Sequence, residues 1–327
     1  MTAPRFSSGL GWTDLVSTRD LGPEGVESVL RLAGTMKAHP DRFRKALAGK
    51  QLVMFFEKPS LRTRLTFESG MVSLGGAAFF IDQTQRRLGE RETLGDIAHN
   101  LERWMDGIVL RTYAQATVED IARYASIPVV NALSDLEHPC QALADYFTLQ
   151  NHFGDLTQLC LAYVGDGNNV AHSLMLTAAC VGSKFRIATP AGYEPNAEIV
   201  ADALEIAKET GGVIEVLSDP NEAVACADAI YTDAWASMGQ EAESDSRAQI
   251  FPPYQLNPEL AAKAAPHAVF MHCLPAHRGE EITDEIMDCD RSVVFDQAEN
   301  RLHVQKAILY LLMGNPAAHF PPRSVHA

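Results

Sequence analysis

The chain lacks a charged start followed by an apolar segment, so no signal peptide is expected. It also lacks any uninterrupted apolar stretch near the roughly 18 residues that a membrane helix requires, which argues against a membrane partner. Cysteine is sparse: six residues scattered over 327, with neither a disulfide framework nor a metal-ligand spacing. A reducing cytoplasm is the natural expectation, and no metal is expected. Positive charge is scarce as well. Lys and Arg total 27 against 42 Asp and Glu, a net charge of −15. That balance argues against a nucleic-acid partner, whose binders present a basic surface. It leaves room for a small anionic substrate, because a local Arg cluster sets the sign of one pocket. Arg62, Arg111 and Arg301 are the candidates. There is no short-period repeat and no low-complexity tract. What remains is an ordinary globular composition, 46% hydrophobic and 21% charged, on a chain long enough for two domains.

The most informative stretch runs from Gln51 to Arg64. Gln51-Leu52-Val53-Met54-Phe55-Phe56 reads as a short buried strand. Phe67, Met71 and Leu74 then fall at i, i+4 and i+7, the spacing of one helix face. Ser60-Leu61-Arg62-Thr63 therefore sits where a strand ends and a helix begins. A helix N-terminus carries free N–H groups and the positive end of the dipole, which suits a phosphate or carboxylate. Ser60 and Thr63 add hydroxyls, and Arg62 adds a planar fork for an oxyanion. The residues spell an anion cradle without a Walker lysine; a capped helix start with a solvated Arg is the competing reading.

Strands and helices alternate along the rest. A helix is expected over Pro23–Met36 and strands over Ala77–Ile81, Gly107–Leu110 and Pro128–Asn131. Between them lie a polar loop, Asp82–Arg91, and a helix, Thr93–Met105. A long helix, Cys140–Phe153, leads to a second series. Its strands are expected at Leu159–Val164, Lys184–Ala188, Val213–Leu217, Ala229–Thr232, Ala268–Met271 and Ser292–Phe295, with a closing helix at Gln297–Met313. The fold class is α/β, two doubly wound domains with parallel sheets flanked by helices. In such sheets ligands bind beyond the carboxyl ends of strands, where Ser60, Arg62, Thr63, Arg111 and His138 all fall.

The turn Gly165-Asp166-Gly167-Asn168-Asn169 resembles half of a dinucleotide fingerprint, but Val170 stands where the third glycine belongs. Tight-turn glycines and a capping Asn explain it without a nucleotide. His138 and Gln141 stand i, i+3 at a helix start and can share a face. Asp233 follows a strand and can hold an ammonium group. Cys273 is the most chemically suggestive cysteine, although a small buried thiol is the commoner state.

Four separated motifs carry a resemblance: Ser60-Leu61-Arg62-Thr63-Arg64, His138-Pro139-Cys140-Gln141, Asp233-Ala234-Trp235-Ala236-Ser237-Met238-Gly239-Gln240-Glu241, and His272-Cys273-Leu274-Pro275-Ala276. In order and spacing they resemble the aspartate and ornithine carbamoyltransferases, the ornithine branch above all, and the resemblance covers essentially the whole chain. It implies transfer of a carbamoyl group from carbamoyl phosphate to the δ-amine of L-ornithine, with no cofactor. It implies a carbamoyl phosphate domain at 1–148, onto which a closing helix at about 305–327 returns, and an ornithine domain at 149–304.

Carried over residue by residue, the resemblance assigns Ser60, Leu61, Arg62, Thr63, Arg111 and Arg301 to carbamoyl phosphate. It places His138 on the carbamoyl oxygen, Gln141 on its nitrogen, and Cys273 and the Leu274 carbonyl beside it. Asn169, Asp233, Ser237 and Met238 fall to ornithine. Arg111, His138, Asp233 and Cys273 are the catalytic set, with no covalent intermediate on Cys273. The resemblance further implies a homotrimer, or a multiple of trimers, with shared sites. The family's usual Gln in the loop before Leu88-Gly89 is here Arg87, with Gln85 close by as the alternative contact to a neighbouring subunit's phosphate. Another amine acceptor such as putrescine or an acylated ornithine, a dehydrogenase-like nucleotide binder, and a catalytically silent paralogue are the competing readings.

Overall fold

The computed structural model describes residues 12–236 and 243–315. The described chain forms two compact units. One runs to Asp135 and takes the chain back from Arg301; the other is Leu136–Asn300.

The first unit is built on four parallel strands: β1 (Gln51–Phe56), β2 (Ala77–Asp82), β3 (Gly107–Arg111) and β4 (Val129–Leu133), in the order β2-β1-β3-β4. Helix α1 (Thr18–Ala38) precedes β1, and α2 (Leu61–Ser73), α3 (Leu94–Leu101) and α4 (Gln115–Tyr124) supply the crossovers. Leu52 to Phe56 are all buried, as a central parallel strand covered on both faces demands. Strand β2 is the edge, and Phe79 and Ile81 stay exposed there. Phe80 meets Phe56 edge-on at 5.3 Å between ring centroids. The chain reverses its winding between β1 and β3, so this is the switch point of the sheet.

The second unit holds α5 (Pro139–Phe153), β5 (Cys160–Val164), α6 (Asn169–Val181), β6 (Lys184–Ala188), α7 (Ala197–Thr210), β7 (Val213–Leu217), α8 (Pro220–Val224), β8 (Ala229–Thr232), α9 (Ser244–Ile250), α10 (Pro258–Ala261), β9 (Val269–His272) and α11 (Asp284–Met287). Its five parallel strands run β7-β6-β5-β8-β9, with the switch point between β5 and β8. Helix α12 (Val294–Met313) begins in this unit, and its residues from Arg301 belong to the first. In the first unit α2 and α12 approach closely at Gly70: a Cβ there would stand 3.4 Å from Cγ of Lys306.

Both parallel-sheet layers agree with the expected fold class. The expected strand at Ser292–Phe295 does not form. Phe270 donates to the Arg291 carbonyl and accepts from Val293 N–H, which makes a single bridge. The Val293 carbonyl then accepts from Gln297 N–H, and helix α12 starts at Val294. A run of β-favouring residues is thus overridden where a helix can continue. Helix α1 starts earlier than expected. Ser17 and Asp20 form a reciprocal capping box, and the helix kinks at Gly22, whose φ is 59°. Residues near the start of the described chain, silent in the sequence, join the sheet through Leu15, which bonds both Val129 and Asn131.

The turn after β5 shows why its glycines are needed. Gly165 has φ 143°, and a Cβ on Gly167 would lie 2.4 Å from Pro195 N and 2.6 Å from the Tyr193 carbonyl oxygen. The Gly167 N–H also donates to that carbonyl at 2.9 Å. The glycine serves close passage of the protein's own backbone rather than a pyrophosphate. Gly167→Ala should therefore cost about 1–3 kcal/mol, the range for overpacking, in denaturant unfolding. An unchanged midpoint would show that the Tyr193–Pro195 segment gives way freely.

Candidate active site

In the first unit, Ser60 caps α2. Its backbone is extended and its Oγ accepts from Thr63 N–H at 3.2 Å. Thr63 is fully buried, and its Oγ1 accepts from the Arg301 guanidinium at 2.7 Å, though the two stand 238 residues apart in sequence. Arg111 leaves the carboxyl end of β3, where the register with β4 shifts between Leu110 and Arg111. It is buried, and its Nε donates to the Lys58 carbonyl at 3.2 Å. Arg62 is half-buried and Leu61 is exposed. The arrangement gathers a helix N-terminus and three guanidiniums within one unit, which favours a phosphate-like anion.

Glu57, unnoticed in the sequence, organises this edge. It is buried, and its two carboxylate oxygens accept from Leu88 N–H and Tyr113 N–H, each at 2.9 Å. One carboxylate thus pins the polar loop and the segment after β3 to the end of β1. Arg87, in that loop, lies with its guanidinium 4.5 Å from the Tyr113 ring centroid, and Lys58 Nζ lies at the same distance from that centroid. Gln85 is exposed.

In the second unit, His138 precedes α5 and is buried; its N–H donates to Ser173 Oγ at 2.9 Å. Gln141 is buried one turn on, and its Nε2 donates to Asp145 Oδ1 at 2.8 Å. Asp233 sits after β8. Its Oδ2 accepts from Asn168 Nδ2 at 2.9 Å; its Oδ1 accepts from Ala234 N–H at 2.8 Å and from the Cys273 thiol at 2.9 Å. Burial pushes the Cys273 thiol well above its ordinary value, and the Asp233 charge adds to it. At neutral pH the thiol is therefore a donor rather than a thiolate nucleophile. Asn168 caps α6, and Asn169, also buried, is the first residue of that helix.

Leu274 has φ 58° and a cis peptide bond to Pro275. Its N–H donates to His272 Nδ1 at 2.9 Å, while His272 Nε2 meets Glu281 at 3.0 Å. Asp233, His272 and Cys273 lie close enough to suggest a metal triad. Yet both nitrogens of His272 are engaged by the protein, so the ring offers no lone pair.

A carboxylate, a thiol and two asparagines at the carboxyl ends of β5, β8 and β9 suit an amino-acid head or ammonium group. A family model described as "Aspartate/ornithine carbamoyltransferase, carbamoyl-P binding domain" matches residues 13–151, and its "Asp/Orn binding domain" counterpart matches 157–312. The ornithine carbamoyltransferase of Thermococcus kodakarensis is 50% identical over 310 residues, covering 93% of this chain and 98% of that protein. The solved structure of the Pyrococcus furiosus ornithine carbamoyltransferase superposes with a TM-score of 0.90 at 49% identity, covering 93% of this chain and 98% of that one. The Giardia lamblia ornithine transcarbamoylase structure, 31% identical, has a TM-score of 0.85 over 92% of this chain and 98% of that one. The chain belongs to the aspartate/ornithine carbamoyltransferase family.

As a member of that family, the chain places its sequence-picked residues unevenly. Thr63 and Arg301 are in direct contact, and so are Asp233 and Cys273. Asn168, expected only as a helix cap, also holds Asp233. Ser237 and Met238 lie outside the described residues. Sequence reasoning passed over Glu57, Asp145, Tyr231, Gln297 and Arg247. For Asp145 a signal existed, since it stands four residues after Gln141 on one helix. For Arg247 none did.

Arg247 is buried on α9. It donates to Asp166 at 2.9 Å, to the Trp235 carbonyl at 2.6 Å and to Glu243 at 3.0 Å, and its guanidinium lies 4.7 Å from the Tyr193 ring centroid. It joins the turn after β5 to the segment after β8. Burial pushes the Asp166 carboxyl up to about 6 in spite of the guanidinium. Arg247→Met strands that carboxylate and should cost about 3–5 kcal/mol, whereas Arg247→Met with Asp166→Asn should recover most of it. A single-variant loss below about 1 kcal/mol would show that water replaces the guanidinium. Asp166 binds its proton more tightly folded than unfolded, so its contribution to stability falls as pH rises from about 4 to about 6. Asp166→Asn should remove that slope from the pH dependence of unfolding.

Proposed function

We propose that this chain transfers the carbamoyl group of carbamoyl phosphate to the δ-amine of L-ornithine, giving L-citrulline and phosphate. The observation that carries this is the 49–50% identity, over nine tenths of the chain, to proteins named ornithine carbamoyltransferase. The half-buried Asp233 and Cys273, with buried Asn168, support it, because they offer a carboxylate and a neutral thiol rather than the basic residues an aspartate side chain would need.

In the first unit, Ser60, Leu61, Arg62, Thr63 and Arg301 hold the phosphate, and Arg111 donates toward the carbonyl oxygen. In the second, His138 donates to the carbamoyl oxygen. Gln141, with the Leu274 carbonyl, meets the carbamoyl nitrogen. Asp233 and Cys273 orient the δ-amine, and Asn169, Ser237 and Met238 hold the amino-acid head. The amine loses a proton and forms the new N–C bond. The C–O bond to phosphate breaks, and the departing phosphate takes up the proton. Charge grows on the carbonyl oxygen as the amine attacks, so donors aimed there stabilise the transition state more than the substrate. Positioning and electrostatics supply the rate, since the leaving group is already activated. The reaction serves arginine metabolism in the cytoplasm.

Assembly into trimers with shared sites belongs to the same reading. Leu61, Leu65 and Val72 on α2, with Phe79 and Ile81 on the edge strand β2, are all at least 39% exposed. So much apolar surface within one unit favours a covering partner.

L-Ornithine should exceed L-aspartate, putrescine and N-acetylornithine in kcat/KM by factors on the order of 10⁴, because each analogue leaves a polar partner unmatched. A citrulline assay with competing acceptors measures this, and preference for putrescine would reverse the assignment of the acceptor loop.

Arg87 rests on Tyr113 within its own chain, and the shared-site reading gives its guanidinium to a neighbour's phosphate. Arg87→Ala and Arg62→Ala should each be nearly inactive alone. Dissociated and reassembled together, they should recover activity at interfaces that pair intact Arg62 with intact Arg87. Full activity of Arg87→Ala alone would confine Arg87 to Tyr113, and verified mixed trimers without activity would end the shared-site reading.

A further inference from the structure

The loop between β9 and α11 gathers three side chains that the transfer chemistry does not use. His277, Glu280 and Glu281 each offer one ligand atom, and these atoms all lie within 4.8 Å of one another. His277 Nδ1 stands 3.7 Å from Glu281 Oε2 and 3.9 Å from Glu280 Oε2. Both gaps are too long for hydrogen bonds, whose N···O distances run to about 3.2 Å. They are not too long for an ion, because a metal held at about 2.0–2.2 Å from each atom spans up to about 4 Å.

Glu281 sets this group apart from an ordinary cluster of surface acids. Its side chain is completely buried. One oxygen is well used: Oε1 accepts from His277 N–H at 2.6 Å and from the His272 ring at 3.0 Å. That ring carries its proton on Nε2, since its Nδ1 accepts from Leu274 N–H. Oε2, equally buried, accepts no hydrogen bond at all. A carboxylate oxygen removed from water without a donor costs free energy, and a cation placed against it removes that cost.

The backbone around these ligands is already fixed. Gln255 Nε2 donates to the Gly279 and Glu280 carbonyls at 3.0 and 2.7 Å. Leu256 N–H donates to the Glu281 carbonyl at 2.8 Å, and Glu280 N–H to the His277 carbonyl at 2.9 Å. Arg278, the cation next to His277 in sequence, turns instead to Asp284 and Asp288 at 2.6–2.8 Å. His277 and Glu280 are exposed, so their side chains can close over an ion that Glu281 meets from below.

We infer that His277, Glu280 and Glu281 form a binding site for a divalent transition-metal ion of the zinc class, separate from Cys273. One imidazole nitrogen and two carboxylate oxygens suit such an ion, whereas magnesium and calcium take oxygen ligands. Water completes its coordination. Glu281 gives Oε2 to the ion and keeps Oε1 on His272, so the ion ties the loop to the end of β9.

The test uses the full-length, tag-free protein, stripped of metal by a chelator and titrated with Co²⁺ alone, followed by absorption and equilibrium dialysis. One Co²⁺ per chain should bind, without the near-ultraviolet sulfur-to-cobalt band that a Cys273 ligand would give. Cys273→Ser should bind Co²⁺ as tightly as wild type. His277→Ala and Glu280→Ala should each weaken binding at least about tenfold, and Glu281→Gln should do the same. His277 and Glu280 are exposed, so those two variants should keep the wild-type circular dichroism and decide the matter even if Glu281→Gln fails to fold. No saturable Co²⁺ binding to wild type, a sulfur-to-cobalt band, binding lost in Cys273→Ser, or a smaller loss in either His277→Ala or Glu280→Ala would overturn the proposal.

Discussion

Every strand in each sheet runs in the same direction, and that constraint decides where chemistry can occur. A parallel strand cannot pair with its successor through a tight hairpin, so each connection crosses back over a face of the sheet as a helix. Within each sheet the carboxyl ends then lie along one edge, and the chain opens a gap there by reversing its winding. Within each unit, segments distant in sequence empty at that unit's own edge. Glu57 and Tyr113 leave β1 and β3; Asn168, Asp233 and Cys273 leave β5, β8 and β9. Helix N-termini arrive at the same edge, and with them unpaired N–H groups and a positive dipole end.

The second unit shows what such an edge demands electrostatically. It buries carboxylates at Asp145, Asp166 and Glu281, each a costly group to remove from water. The structure answers with donors of fixed direction: glutamine amides and a phenol for Asp145, a guanidinium for Asp166, an imidazole and a backbone N–H for Glu281. Fixed direction matters more than the sum of bond strengths. A carboxylate that can only accept forces each partner into one orientation, and a network so constrained holds its polar groups still. Cys273 belongs to the same logic, since a thiol kept protonated beside Asp233 can donate without competing as a nucleophile.

The alternation of strand and helix was legible in the sequence because buried parallel strands read as short apolar runs and their helices repeat at 3.6 residues. The helix start at Ser60–Thr63 was legible too, since a capping serine before an amphipathic run marks it by local chemistry. Ser292–Phe295 misled for a complementary reason. Its composition suits a strand, but only Phe270 has backbone groups to share there, and one bridge cannot outweigh a helix that begins two residues later. Glu57 was invisible because an acidic residue beside a strand end is far more often solvated than buried; Asp145 carried a signal in its spacing from Gln141, but an acidic residue in a helix is ordinarily read as solvated. Arg247 was invisible because its partners, Asp166 and the Trp235 carbonyl, lie 81 and 12 residues away.

By itself the sequence determined the fold class, the elements and the order of the motifs, because periodicity, capping and turn chemistry act within a few residues. It also determined the residue types available for chemistry: guanidiniums, a thiol, a carboxylate after a strand. The tertiary structure decided which of them meet. Arg301 reaches Thr63 across 238 residues, and Cys273 reaches Asp233 across 40. It decided protonation and polarity as well, since these follow from burial and from the direction of neighbouring donors. A thiol becomes a fixed donor, and a glutamine turns one end inward, only when packing removes water and the alternatives water would allow.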